Sequence, residues 1–169
     1  MSKLVYDLTI APMLHYLQNL DALISKAEEH LATHKDIEES TLVRARLYPN
    51  MRPFIFQVQV ATDIAKGAAA RLSGNTPPSW ADEETTFAAA HQRVKKAIDF
   101  LAQFKPDDYA GAVERSIELK LRSGSVTFTG LDYIRKFAMP NFYFHLTTAY
   151  DILRHNGVPL GKSDFTGAD

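Results

Sequence analysis

The sequence predicts a mostly helical fold, a four-helix bundle with a small β-hairpin between its third and fourth helices. Three observations predict it. Apolar residues recur every three or four positions over four long segments, which is the period of a helix with one buried face. One stretch, Ala112 to Thr129, alternates with period two instead. Proline or glycine punctuates the segments where one pattern gives way to the next.

From Thr9 to His34 the residues Ile10, Met13, Leu14, Leu17, Leu20, Ile24, Ala27 and Leu31 mark the stripe of the first helix. A polar connector follows through Ser40; Leu42 to Leu47 can hold one helical turn before Pro49 and Pro53 stop it. Phe54 to Leu72 is the second helix, with Pro53 suited to its start, alanines along its second half and Gly74 just past its end. The linker GNTPPSWADEE carries the single Trp, and Asp82 with the glutamates after it places negative charge where the third helix begins. That helix runs along Phe87, Ala90, His91, Val94, Ile98, Leu101 and Phe104, and Lys105–Pro106 closes it. Ile117, Leu119 and Leu121 on one side of a Ser-Gly turn, with Val126 and Phe128 on the other, predict the hairpin. The fourth helix follows Thr129–Gly130, is kinked by Pro140 and ends at Gly157. The tail has no helical period and is expected to fold back through Val158, Leu160 and Phe165.

At 169 residues the chain is read as a single domain, 1–169, able to bury a sizeable core. Nineteen basic and twenty acidic residues give a net charge of -1, without a basic stripe, so no nucleic acid is expected as partner. There is no cysteine, which removes disulfides, thiolate metal sites and cysteine nucleophiles. The opening MSKLVYDLTIAPML lacks the form of a signal peptide, and no apolar run reaches membrane-spanning length. The expectation is a cytoplasmic protein with no membrane partner.

Asn141 and His145 lie four apart and share a helix face among Phe142, Tyr143 and Phe144. Gln57 lies on the face of Phe54, Ala61 and Ile64, so it can meet His145 across the bundle axis. Inward polar groups between helices either form ligand or metal sites or hydrogen-bond one another and fix register. His91 falls on the third helix's stripe, as a core residue or a further lining of the same cavity; His30 and His34 read as solvated. The GKS run at Gly161–Ser163 follows a helix instead of joining a strand to one, so it is not a phosphate loop.

The runs MRPFIFQVQVATDIAKGAAARLSG and PNFYFHLTTAYDILRHNGVPLGKSDFTG resemble an uncharacterised bacterial branch, a domain of unknown function, of the DinB/YfiT-like superfamily. The resemblance implies an up-down-down-up four-helix bundle, commonly a homodimer. In many relatives it also implies a metal centre of one His on the second helix and a His-x3-His pair on the fourth. Carried over, His145 resembles the second member of that pair; Asn141 stands in place of the first, and Gln57 matches the second-helix ligand. Amide oxygens bind Zn or Ni far less well than imidazole does. Two function classes therefore stand. One is a non-catalytic or small-molecule-binding homodimer with Gln57, Asn141, His145 and His91 as cavity candidates. The other is a metal-dependent hydrolase or thiol transferase, with a divalent metal on His145, Gln57 and Asn141, or with His91, Asp63 or water completing the shell.

Overall fold

The structure, a computed structural model, describes residues 1–121 and 124–167. The first helical run starts ahead of its predicted stripe: α1 (Ser2–Val5), a π-helical turn (Tyr6–Ile10) and α2 (Ala11–Thr33) are continuous. The wide turn ends two residues before Pro12. A proline inside a helix has no N–H to donate, and its ring crowds the carbonyl four residues back; a wider turn ahead of it absorbs both problems. The chain repeats the device. α6 (Gly130–Tyr133) enters a second π turn (Ile134–Ala138) that ends two residues before Pro140, and α7 (Met139–His155) continues from it. The kink expected at Pro140 takes this form.

Between these runs, α3 (Glu39–Val43) buries Leu42 and Val43. α4 (Phe54–Leu72) has the predicted bounds, with Pro53 extended before it and Gly74 at φ +84 after it. α5 (Phe87–Leu101) is capped by the Thr86 hydroxyl, which accepts from the Ala89 N–H at 3.1 Å. Of the linker carboxylates expected at this helix start, Asp82 and Glu84 turn elsewhere, to Arg93.

α2 packs on α5 and α7, and α4 packs on α5 and α7. Between them lie Leu17, Leu20 and Ile24, Val58, Ala61 and Ala65, Phe87 and Val94, Phe142 and Ile152, all buried. Each large aliphatic or aromatic side chain among these contributes about 1.5–3 kcal/mol by leaving water. The alanines of α4 let its neighbours approach closely.

The hairpin pairs β1 (Ser116–Leu121) with β2 (Gly124–Thr129) in antiparallel register, Ile117 opposite Phe128 and Leu119 opposite Val126. Ile117 and Leu119 are buried; Val126 is exposed. The serine of the expected Ser-Gly turn lies outside the described residues. In the tail, Val158 and Leu160 are buried as their pattern predicts, but a short helix, α8 (Lys162–Thr166), replaces the irregular segment. Asp164 starts it by accepting from the Gly161 N–H at 2.7 Å, and Gly167 at φ +66 ends it. α8 docks on α2, where Asn19 Nδ2 donates to the Phe165 carbonyl at 3.0 Å. Among the described residues no helix is long and apolar enough to cross a membrane.

The linker between α4 and α5 doubles back along α4. Trp80 lies against Lys66, Asp82 shares Arg93 with Asp63, and Glu84 accepts from Gln59. The returning chain then brings Phe87 to Phe54, with ring centroids 5.8 Å apart.

Candidate functional site

Gln57 sits in the first turns of α4, close enough to reach back to a carbonyl that precedes the helix. Its Nε2 donates to the Arg52 carbonyl at 2.9 Å. A carbonyl can only accept, so the amide is fixed with Oε1 pointing away from Arg52. That oxygen lies 2.7 Å from His145 Nδ1. Nδ1 must therefore carry the ring proton and donate it, which leaves the lone pair on Nε2. One backbone carbonyl thus sets the tautomer of an imidazole on another helix.

Burial pushes the His145 pKa down and keeps the ring neutral at neutral pH. Its neighbours are aromatic: Phe144 at 5.2 Å and Phe56 at 6.3 Å between ring centroids, both edge-on. The Arg52 guanidinium lies over Phe56 at 5.2 Å. Gln57 is 2% exposed, whereas Phe144 is 56% exposed, so the pair stands where the core opens to solvent.

Asn141 does not join this pair by hydrogen bond. Its Nδ2 donates to the Phe137 carbonyl at 2.6 Å, where the π turn passes into α7. The transition-metal centre implied by the resemblance does not fit these residues. The Gln57 oxygen already accepts the imidazole proton, and the Asn141 amide is turned to backbone. Among the described residues no three His, Cys, Asp or Glu side chains gather as a metal-binding group.

His91 lies on another seam. It is half-buried between α5 and α2, with Nδ1 2.6 Å from Asp21 Oδ1 and Nε2 3.3 Å from Glu28 Oε2. Burial opposes the charged ring, but the Asp21 hydrogen bond and the fields of Asp21 and Glu28 outweigh it and raise the pKa. Asp63, the other candidate shell residue, is held by Arg93 and Lys66. His30, expected in solvent, is buried at 9% exposure and stacks on His34 with ring centroids 4.0 Å apart.

The largest polar cluster was not foreseen. Arg93 is 3% exposed, and all five of its N–H groups are used. Nε donates to Thr62 Oγ1, Nη1 to the Ala81 carbonyl and Glu84, and Nη2 to Asp63 and Asp82, all at 2.8–3.0 Å. Lys66, Lys96 and Arg93 surround the Trp80 ring at 4.4, 4.7 and 5.4 Å. The signal was present in the sequence. Arg93 falls inside the stripe Ala90–Val94–Ala97, where an arginine requires carboxylates, and the linker supplies Asp82 and Glu84.

A family model described as a domain of unknown function (DUF1993) matches residues 5–166. The crystal structure of a DinB family member protein from Shewanella denitrificans superposes with a TM-score of 0.91 at 38% sequence identity, covering 99% of this chain and 94% of that one. No curated protein matches the chain.

Proposed function

Since the chain belongs to the DUF1993 family, a domain of unknown function, and is DinB-like in structure, we propose that it is a small-ligand-binding helical bundle that pairs with a second copy of itself. Its ligand is held at His145. The observation that carries this reading is the locked tautomer: Arg52 carbonyl, Gln57 amide and His145 ring in series, ending on an unprotonated Nε2. Such a nitrogen accepts from a hydroxyl or N–H of a ligand, while Phe56 and Phe144 suit a flat apolar portion. Asn141, on the same face of α7, and Gln57 would flank such a ligand.

The scaffold of this reading is one domain, a four-helix bundle of α2, α4, α5 and α7 arranged up-down-down-up. The doubled-back linker supports a parallel α4–α5 pair, since the two helices begin together at Phe54 and Phe87. α7 runs the other way along α4. Tyr133, ahead of it, meets Arg71 near the end of α4, whereas His145 meets Gln57 near its start. Glu39, beyond the end of α2, accepts from the Phe87 N–H that opens α5, which supports opposed directions for that pair. Pairing with a second copy is supported by Leu4 and Leu8, one helical turn apart at 53% and 62% exposure.

Tag-free protein, weighed by light scattering and analysed for metals, is expected to be a dimer without a stoichiometric transition metal. In histidine-ring 15N NMR at neutral pH, His145 is expected to show a protonated Nδ1 and a bare Nε2. One equivalent per chain of a chelator-sensitive metal, or the opposite tautomer, would end this reading of the site; a monomer would end the pairing.

A further inference from the structure

At the far end of α4 from Gln57 lies a groove of about 600 Å³ between the helix end and the hairpin. Gln57 and Arg71 are fourteen positions apart on that helix, about 21 Å at 1.5 Å per residue, so this groove is separate from the His145 site. Arg71, Asn75, Arg115, Glu118 and Lys120 line it.

Among the described residues five Lys or Arg side chains are buried or half-buried, and the two that line this groove, Arg71 and Arg115, differ from the other three. Arg93 has three carboxylates, Lys66 has Asp63, and Lys26 has Asp164. Arg71, by contrast, donates to the neutral Tyr133 hydroxyl at 3.4 Å, and Arg115 Nη2 donates to the Ala110 carbonyl at 2.9 Å. Neither they nor Lys120 form an ion pair among the described residues. Arg115 Nε is buried and has no hydrogen-bond partner, one of two such side-chain atoms among the described residues. The Arg115 guanidinium packs over Gly74, where a Cβ would collide with it. The side chain is therefore shaped by its surroundings instead of ranging through solvent.

Three cations against Glu118 leave a surplus of two positive charges among the described lining residues. The carboxyl end of α4 offsets about half a charge of this and no more. A guanidinium pair matches the bidentate geometry of an oxyanion, and a phosphate monoester carries about -1.5 to -2 at neutral pH with three acceptor oxygens. The groove also falls in the size range of small-molecule sites, roughly 300–1,000 Å³. We propose that the groove between the end of α4 and the hairpin binds a small molecule through a phosphate monoester, with Arg71 and Arg115 holding the phosphate oxygens and Lys120 supplying charge at the rim.

The test is calorimetric titration of the full chain, at constant ionic strength, with inorganic phosphate, phenyl phosphate and succinate. Saturable binding of both phosphates is expected, with phenyl phosphate tighter than succinate. Arg71→Gln and Arg115→Gln are each expected to raise the Kd at least about ten-fold. Lys120, exposed on the hairpin, gives a variant that leaves the fold intact; Lys120→Ser is expected to weaken binding several-fold even if Arg115→Gln fails to fold. Tighter binding of succinate would overturn the assignment to phosphate. Absence of saturable phosphate binding below about 10 mM, or binding unchanged in Arg71→Gln and Lys120→Ser, would overturn the site itself.

Discussion

His91 and His145 respond to pH with opposite signs. The carboxylates of Asp21 and Glu28 hold His91 above the ordinary imidazole pKa, so its stabilisation is complete below about pH 6.5 and is lost as pH rises through its folded value. Burial holds His145 below the ordinary value. Its contribution is complete above about pH 6.5 and is lost as pH falls through its folded value. Urea midpoints measured from pH 5 to 8.5 are expected to separate the two. His91→Gln should flatten the alkaline decline relative to wild type, and His145→Gln should flatten the acid one. An unchanged profile in His91→Gln would mean that the Asp21–His91–Glu28 arrangement carries no net charge interaction. The Gln57–His145 contact was legible in the sequence because both residues fall at helical spacing on apolar faces. The lock supplied by the Arg52 carbonyl was not, because it depends on a backbone group with no sequence signature.

Among the elements, the four long helices were legible because each repeats its stripe over several turns. The short ones were not. α8 is five residues long and the π turns span five each, less than the length over which a period can be read. The linker was read as placing acidic charge at the start of the third helix, yet it is a strap that Arg93 fastens along α4. Replacing Arg93 with Met removes five hydrogen bonds and leaves Asp63, Asp82 and Glu84 without their common partner. Asp63 and Asp82 are half-exposed and can rehydrate, so the loss is expected at about 3 kcal/mol, the lower end of the range for breaking a buried pair. Chemical denaturation of Arg93→Met measures it; a loss below about 1 kcal/mol would show that the strap holds by its packing alone.

For the molecule as a whole, the doubled-back linker makes the strap and the helices one cooperative unit, because Arg93 joins Thr62 on α4 to Ala81, Asp82 and Glu84 on the linker. In wild-type protein, loss of helicity by circular dichroism and loss of the strap are expected at the same urea concentration. In Arg93→Met the strap should release first. The means of seeing this is built in: Trp80 is the single indole of the chain, and Lys66, Lys96 and Arg93 surround its ring. Its fluorescence is therefore an intrinsic optical gauge of one joint, the clasp between linker and helices, read against the field of three cations and without any label.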